Sequence, residues 1–443
     1  MNILKHSLLR RYLPIVAATG CFLAPPLLAT DGFFVQGFGA VNSALGGAAT
    51  AGNDQDLIGS IYKNPANGIL FADHTISIVF GDIIPSAQVD SSVAALGLNG
   101  TSKSTINNVP YLSLMTIWKA SDPNMAWFAG VVSEAGLSFH AATSATNPIF
   151  FPQAGAANNP FYGQFGGFGD VRSSLYVIRI PLGLSASEGQ WSWGVELAPS
   201  VGRNLFTPAA FAQPGFGANM APIYPTVQQQ DYQLGLGAQG GLRYQVDKDV
   251  SVGVSLSSPT WFRTYSWTVQ DPSGASRTVT FQMDRPLTAQ FGLNYAVMES
   301  THIVADVGYI AYGSTPGFEH SGFRANGSMA GLGWQDSYTF EIGVQHALTK
   351  EVVVRAGYNY CSDPIPDNVT FYNVGSPLFI AHHLSLGLSF AVAPSATIDV
   401  SYTHGLSHSQ SSSWYNLAGA VPGTNITSTT SGDEFCIGTT FKF

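Results

Sequence analysis

The side chains that could do chemistry are few, and their spacing does not indicate catalysis. Residues 235–240 (GLGAQG) have the glycine spacing of a dinucleotide-binding loop, but no helical pattern follows them. His382-His383 and the pair His404 and His408 lack the helical spacing that would place metal ligands on one face. Ser409 and His408 are adjacent, so on a strand they point to opposite faces, which argues against a nucleophile and its base; only a loop conformation would bring them together. We therefore predict no enzyme activity, no cofactor and no metal site.

The composition excludes an ordinary soluble domain. Only 10% of the 443 residues are charged, against roughly a quarter in soluble proteins, while 12% are aromatic and 48 are glycine. Beyond the first thirty residues, no apolar run reaches the roughly 18 residues that a membrane helix needs. The net charge of -9 argues against a nucleic-acid partner. A membrane protein built from strands fits these bounds.

Apolar and polar residues alternate along most of the chain. In Tyr338–Gln345 and in Leu384–Phe390 one face is apolar and the other is polar, as is typical of an amphipathic strand. Glycines recur on the polar face, at Gly235, Gly237, Gly292 and Gly343. Because glycine has no side chain, we expect another backbone to approach the wall closely there.

Short links and long loops alternate between the strands. Short links lie at 187–190, 246–249, 348–351 and 392–395, and long loops at roughly 141–170, 206–228, 314–334, 361–377 and 405–432. This alternation is typical of outer-membrane barrels. We predict an all-β fold with about fourteen strands, which begin near 74, 107, 125, 171, 190, 229, 249, 277, 301, 335, 351, 378, 395 and 433.

The N-terminal residues have the pattern of an export signal. A basic start, an apolar stretch and small residues predict that residues 1–30 are a signal peptide. Cys21 lies in a segment that loosely resembles a lipoprotein cleavage box, so lipidation there is an alternative. Cys361 and Cys436 fall on strands that are not neighbours, and we expect them to be unpaired.

The last strand ends the chain on an aromatic side chain. Phe435, Ile437, Thr439, Phe441 and Phe443 share one face. Barrel-assembly machinery commonly recognises such a terminal strand. We therefore predict a protein of the Gram-negative-type outer membrane, a monomer whose partners are this machinery and outer-membrane lipid.

About forty residues between the signal and the first strand need a place in the fold. They are too rich in glycine and alanine for a packed domain, and a barrel of this size has room for a plug. We predict a hatch at 31–72 and a barrel at 73–443. Asn64-Pro65-Ala66 forms a rigid corner, because proline fixes its own φ and restricts the residue before it. We interpret this corner as the hinge where the hatch leaves the lumen.

Two stretches resemble a known family. Residues 32–47 (GFFVQGFGAVNSALGG), followed by the Asn-Pro-Ala turn, resemble the hatch of the FadL/TodX outer-membrane transport proteins, and residues 334–366 resemble their late strands. The resemblance implies a 14-stranded antiparallel transmembrane β-barrel plugged by an N-terminal hatch. It implies uptake of hydrophobic small molecules, first of all long-chain fatty acids, by loop capture, a lumen pocket and hatch-gated lateral release. An aromatic hydrocarbon channel and a general diffusion porin are the alternatives.

The resemblance also implies candidate ligand contacts. Phe33 matches a family phenylalanine that reaches the ligand pocket. A carboxylate head group would need a cation that lines the barrel, and Arg243 alternates onto the polar face. The family opens sideways through a kinked third strand, and residues 133–137 (SEAGL) interrupt the third strand here, with Gly136 as the candidate kink; the alternative is a glycine without such a role. The ligand-pocket candidates are Phe33, Phe34, Arg179, Arg243 and Arg355.

Two long loops are apolar where charge would be expected. Apolar exposed patches often mark a binding surface. The candidates for an extracellular capture groove are Phe150, Phe151, Phe161, Phe165, Phe211, Phe216, Met220 and Ile223. The alternative is that these aromatic side chains only pack the loops over the barrel mouth.

Overall fold

The wall of the molecule is one closed antiparallel barrel. The computed structural model describes residues 31–71, 74–154, 159, 166–216, 222–377 and 379–443, and within them 14 strands form the wall. These are β1 Thr75–Val93, β2 Val109–Lys119, β3 Met125–Ala141, β4 in two segments (Val171–Arg179 and Leu182–Glu188), β5 Trp191–Thr207, β6 Asp231–Gln245, β7 Val250–Ser257, β8 Thr288–Met298, β9 Thr301–Ile310, β10 Ser337–Ala347, β11 Val352–Cys361, β12 His382–Ala393, β13 Ala396–Ser412 and β14 Thr424–Lys442. β1 pairs with β14 from Thr75 opposite Lys442 to Val93 opposite Thr424, which closes the barrel. The predicted fold is confirmed.

The alternation of side chains sorts them between lipid and lumen. On β12, Leu384 and Leu386 are exposed on the outer face, while Ser385 and Ser389 are buried on the inner face. Closure gives most backbone groups of the wall a partner on a neighbouring strand, as a bilayer requires. The described helices include none that is long and apolar enough to span a membrane.

Short turns join the strands at one end of the barrel and long loops at the other. The loops carry short strands at Leu98–Lys103, Gly215–Phe216, Pro222–Ile223, Thr226–Gln229, Trp261–Phe262, Tyr265–Gln270, Ser276–Phe281, Tyr415–Asn416 and Gly419–Ala420. They also carry 3-10 helices at Ala94–Leu96, Pro148–Phe150, Tyr312–Ser314 and Asp367–Asn373. Both ends of the wall, Thr75 and Lys442, lie at the turn end.

Two predicted strand positions are wrong. The strand expected near 277 is Ser276–Phe281, which pairs with Tyr265–Gln270 in a loop hairpin, and the wall strand β8 begins at Thr288. The hairpin alternates as clearly as a wall strand does, so periodicity alone cannot separate them. The last strand begins at Thr424 and not near residue 433. The prediction was wrong because the first residues of this strand are mostly serine and threonine, which give no alternation of apolar and polar side chains.

The segment of residues 31–71, which we call the hatch, folds inside the barrel. It contains helix α1 (Ala40–Ala44), helix α2 (Leu57–Lys63) and a 3-10 helix (Pro65–Leu70). The Asp56 carboxylate accepts a hydrogen bond from the Gly59 N–H at 3.0 Å and caps α2. Only Asp54 and Gln55 are exposed in this segment. The predicted signal peptide and the predicted boundary at residues 72 and 73 lie outside the described residues.

Glycines of the wall let the hatch backbone lie directly against it. A Cβ atom at Gly343 would lie 2.7 Å from Leu45 Cα, and one at Gly292 would lie 2.7 Å from Thr50 Cβ. The same close approach occurs at Gly194, Gly241, Gly253, Gly357 and Gly387. The prediction for Gly235 and Gly237 is wrong, because these glycines face Phe262 and Thr260 of a loop instead of the hatch.

The glycine contacts generate a first prediction. Gly343→Val should displace the hatch, because the new side chain needs the space of the Leu45 backbone. We expect a higher ion conductance of the purified protein in planar bilayers. Gly240→Val is the matched control, since a Cβ there meets nothing within 4 Å. Equal conductance of both variants and the unsubstituted protein would show that the hatch does not depend on this contact.

Candidate functional site

The wall has a gap between β2 and β3. Their pairing covers only Leu114–Lys119 of β2, with Val131 as the last paired residue of β3. On its other edge, β2 pairs with β1 from Val109 to Ile117, so only the edge that faces β3 is left open at Val109–Ser113. β3 contains a bulge at Glu134, where its register with β4 shifts between Ser133 and Ala135. The predicted interruption of the third strand is therefore present, but it lies at Glu134 and not at Gly136, which pairs regularly with Tyr176.

The hatch covers the unpaired edge of β3 from inside the barrel. The Gly136 N–H donates to the Phe33 carbonyl at 3.3 Å, and the Val35 N–H donates to the Glu134 carbonyl at 3.4 Å. Phe34 forms a β-bridge with Ala135. Backbone N–H and C=O groups within a membrane need hydrogen-bond partners. β2 supplies these partners to β3 up to Val131, and the hatch supplies them at residues 134–136. The hatch thus completes the sheet where the wall does not.

The Glu134 carboxylate holds this region together. Its Oε1 atom accepts hydrogen bonds from the Tyr62 hydroxyl at 2.6 Å and from Arg285 Nε at 2.7 Å, and it lies 3.2 Å from Arg179 Nη1. All four side chains are buried. Arg179 also donates to Glu196 Oε1 at 2.8 Å. Buried charges are stable only when they are paired. The cluster therefore fixes the bulge of β3, the hatch, Arg179 on β4 and Glu196 on β5 relative to one another.

Two more acidic side chains of the wall bind the hatch. Glu341 on β10 accepts from Lys63 Nζ at 2.8 Å. Asp306 on β9 accepts from the backbone N–H groups of Ala49 and Thr50, each at 2.8 Å. The hatch is therefore tied to β3, β9 and β10 by charged or charge-assisted contacts.

The Asn64-Pro65-Ala66 corner lies inside the lumen, before the junction with the wall. Asn64 caps the 3-10 helix, since its Oδ1 atom accepts from the Ala66 N–H at 3.0 Å. Its Nδ2 atom donates to the carbonyls of Thr50 and Leu242, at 2.9 and 3.0 Å. The first wall strand begins only at Thr75. The role of the Asn64-Pro65-Ala66 corner as a hinge stays a prediction. In this structure the corner is hydrogen-bonded to β6 through Asn64 and Leu242.

The three predicted arginines are all engaged by the protein. Arg179 belongs to the Glu134 cluster. Arg243 donates to the Ala51 carbonyl at 2.8 Å, and Arg355 donates to Gln345 at 2.7 Å and to Gln55 at 2.6 Å. Arg179 and Arg355 are buried, whereas Arg243 also lines a pocket of about 200 Å³ together with Asn53 and Asp54 of the hatch. Sequence reasoning placed Glu134 in the interruption of the third strand but missed the role of its carboxylate, and it missed Arg285 altogether; a lone glutamate in the largely apolar stretch 131–139 was a usable signal.

Phe33 and Phe34 have different surroundings. The Phe33 ring packs on Phe318 at 5.4 Å between centroids, and its N–H donates to the Tyr312 hydroxyl. Phe33 therefore joins the hatch to the loop above it. The Phe34 ring lies 5.0 Å from the Arg285 guanidinium and lines a small lumen pocket of about 30 Å³. Of the two, only Phe34 lines a pocket.

A large cleft opens between the long loops. Its volume is about 1290 Å³, and its lining mixes amides with aromatic and aliphatic side chains. Gln228, Gln229 and Gln230 lie on one side, and Phe168 and Tyr224 are also part of the lining. A mainly apolar slot of about 40 Å³ adjoins the cleft and shares Phe168, Arg172, Thr207 and Pro208 with it. The side chains of the slot include Phe168, Phe206, Phe211, Met329, Leu332 and Phe371.

Only some predicted capture residues line these spaces. Ile223 lines the cleft and Phe211 lines the slot. Phe150 is fully buried and its ring stacks on Phe139 at 6.3 Å, so it packs the loop, and Phe151 is also buried. Phe216 is exposed on its short strand. Phe161, Phe165 and Met220 lie outside the described residues.

Two tyrosines near the cleft are uncharged. Burial raises the pKa of Tyr372 to about 12, and it raises the pKa of Tyr224 well above its usual range. The Tyr224 hydroxyl donates to the Gly327 carbonyl at 3.0 Å. Both phenols therefore add hydrogen-bonding or apolar surface to the loops without adding negative charge.

Comparison with known proteins agrees with this geometry. Residues 227–443 match the family described as outer membrane protein transport protein (OMPP1/FadL/TodX). The chain is an outer-membrane protein of the FadL/TodX family. No curated protein sequence matches it. The FadL/TodX family transports hydrophobic small molecules through an outer-membrane barrel, and this chain is a transporter of that kind.

Several solved structures have the same fold. The Pseudomonas putida toluene transporter TodX has a TM-score of 0.66 at 15% identity, over 92% of this chain and 99% of that chain. A Pseudomonas aeruginosa FadL homologue has a TM-score of 0.70 at 12% identity, over 93% and 100%. The Ralstonia pickettii toluene transporter TbuX has a TM-score of 0.63 at 17% identity, over 92% and 99%. At these identities the likeness concerns the fold.

The Glu134 cluster generates a second prediction. Glu134→Gln removes the negative charge that Arg179 and Arg285 share, and breaking a buried ion pair should lower the free energy of unfolding by about 3 to 5 kcal/mol. Urea unfolding in lipid vesicles measures this change.

The control for this variant is Asp170→Asn in the loops. It breaks an ion pair with Arg172 that is 36% and 56% exposed, and such pairs contribute about 0 to 1 kcal/mol. If Glu134→Gln were no more destabilising than Asp170→Asn, the cluster would not hold the bulge.

Proposed function

We propose that this chain takes up hydrophobic compounds from outside the cell and releases them sideways into the outer membrane between β2 and β3. The observation that carries the proposal is the hatch backbone bonded to the unpaired edge of β3. A compound that leaves through this gap must first separate residues 33–35 from β3. Movement of the hatch and opening of the wall are then one event.

Capture begins at the loop end. An amphiphile can keep its polar head against the glutamines of the cleft while its hydrocarbon chain lies along Phe168, Ile223 and Tyr224 in the same cleft, since the adjoining slot of about 40 Å³ has room only for the end of the chain. Burying about fifteen methylenes at ~0.8 kcal/mol each provides roughly 12 kcal/mol before the loss of freedom is subtracted. A site that held a ligand so tightly would release it slowly. A second conformation with weaker contacts is therefore needed for transport.

Long-chain fatty acids are the substrate class that we propose first, because a large cleft whose lining mixes amides with aromatic and aliphatic side chains suits an amphiphile. Aromatic hydrocarbons are the second candidate. Arg179 and Arg355 are buried and engaged by protein groups, so they are not open to a carboxylate, and Arg243 is the one of these three predicted cations that lines a larger pocket, of about 200 Å³. A substrate without charge would need none of them.

Uptake by cells that lack their own transporter tests the function. Cells that express this protein should take up labelled oleate, toluene or both, and should not take up a small sugar. Faster uptake of oleate would support fatty acids, and uptake of toluene alone would support aromatic hydrocarbons. Sugar permeation by the intact protein would make it a diffusion porin and overturn the proposal.

A reversible tether tests the gate. Phe34→Cys with Ala135→Cys should form a disulfide, because the two residues are bridge partners, and should tie the hatch to β3. We expect at least a tenfold loss of uptake in the oxidised protein and recovery after reduction.

The matched control is Leu386→Cys with Tyr402→Cys, which join β12 to β13 on the outer face, where the strands already pair. Its uptake should not depend on oxidation. Unchanged uptake through the oxidised hatch tether would contradict hatch gating.

A further inference from the structure

A second lumen cavity lies on the side of the hatch formed by β1, β12, β13 and β14. Its volume is about 30 Å³, which is the space of roughly one water molecule or one small polar group. Val35, Ile83 and Ile380 give it apolar sides. Gln36 of the hatch and His383 of β12 also line it, as do Thr403, Thr430, Asp433 and Glu434, each of which has a hydrogen-bond partner within the protein. It is separate from the pocket beside Phe34 and contains none of the predicted arginines.

The polar groups of Gln36 and His383 have no partner among the described residues. Both Nε2 and Oε1 of Gln36 are buried without a hydrogen bond, and so is Nε2 of His383. The two side chains are 2% and 1% exposed. A buried polar atom that lacks a hydrogen bond destabilises a fold by about 1 to 3 kcal/mol. Three such atoms around one cavity indicate that something else belongs there.

The neighbours of His383 determine what its free nitrogen can do. Its Nδ1 atom lies 3.2 Å from Asn359 Oδ1, and the Asn359 amide nitrogen donates to Asp31. The Asn359 oxygen must therefore accept, and His383 Nδ1 carries the proton. In the neutral ring, Nε2 then presents a lone pair to the cavity. The cavity offers an acceptor from His383 together with a donor and an acceptor from Gln36.

We propose that this cavity binds the uncharged O–H head group of an otherwise hydrophobic compound. The hydroxyl of an alcohol, a phenol or a protonated carboxylic acid would donate to His383 Nε2, and its oxygen would accept from Gln36 Nε2. The cavity has room for the O–H group alone, so the first carbon atoms would lie at its edge beside Val35, Ile83 and Ile380. A hydrocarbon without a head group leaves all three polar atoms unpartnered, so it gains nothing at this site.

The site deepens the proposed function and rests on it, because Gln36, one of the two side chains with unpartnered polar atoms, belongs to the hatch. Gln36 follows directly on residues 33–35, which cover the edge of β3. Asp31, at the start of the hatch, reaches His383 through Asn359. Head-group binding would therefore contact or reach the hatch at Gln36 and Asp31, on either side of residues 33–35. These residues cover the edge of β3, where the proposed exit opens.

Binding of a matched pair of compounds tests this inference. The probes are 4-propylphenol and propylbenzene, which differ only in the hydroxyl, and the phenol is uncharged at neutral pH because its pKa is about 10. Binding of each labelled compound is measured to the full chain in lipid nanodiscs, with empty nanodiscs subtracted. Gln36→Leu and His383→Phe should each weaken binding of 4-propylphenol by about 5- to 10-fold and leave propylbenzene unchanged.

Two further variants control for packing. His382→Phe changes the neighbouring histidine, which is exposed on the outer face, and should alter neither affinity. His383→Gln keeps an acceptor near the position of Nε2 and should retain part of the preference for the phenol. Heat modifiability in gel electrophoresis confirms that each barrel has folded.

The possible outcomes separate this site from the transport function. Equal losses for both compounds, or no loss for either, would mean that the cavity holds only water and would overturn the inference while leaving uptake of hydrophobic compounds in place. Failure of the unsubstituted protein to bind either compound would overturn the inference directly. Uptake of oleate or toluene is measured independently and decides the transport function.

Discussion

The structure depends on one buried carboxylate at a defect in the wall. Glu134 occupies the bulge of β3, whose pairing with β2 ends at Val131, partway along the strand. A buried charge is tolerated only with partners of opposite charge, and Arg179, Arg285 and Tyr62 supply the contacts. Because Tyr62 belongs to the hatch and the arginines to other parts of the barrel, satisfying this charge also decides where the hatch must lie.

The second constraint is the backbone. Inside a bilayer, an unpaired edge of a sheet is unfavourable, and a closed barrel normally has none. Here the wall retains a short stretch of open edge, and the hatch supplies the missing partners through Phe33 and Val35. The closed state is therefore stable only while the hatch stays in place. A transporter with a sideways exit needs such a seal, since it must be complete at rest and removable without unfolding the barrel.

Much of the fold follows from the sequence because its physical causes are local and repeated. Side chains that alternate between lipid and lumen, as in Leu384–Phe390, mark wall strands in any context, and the terminal aromatic strand marks the closure. The hairpin of Ser276–Phe281 was misplaced because it alternates in the same way without lying in the wall. The serine and threonine part of β14 was missed for the opposite reason, since it gives no contrast in polarity.

The site was less predictable because it depends on pairs of residues far apart in the chain. Each of Arg179, Arg243 and Arg355 faces inward as the alternation implied, but its partner cannot be deduced from that alternation. Glu134 and Arg285 are separated by 151 residues, and Gln36 and His383 meet only when the hatch is seated in the finished barrel. Periodicity shows which face a residue occupies, whereas the closed barrel decides what it meets there.

Hydrogen exchange tests the central claim most directly, because the contact between hatch and wall consists of backbone N–H groups. Exchange in peptides that cover residues 31–38 and 130–140 should be followed in nanodiscs with and without a transported compound. The account predicts slow exchange at Val35 and Gly136 at rest and faster exchange at both when the compound is present. Equal protection in both conditions, while the compound is being transported, would show that it passes without releasing the hatch.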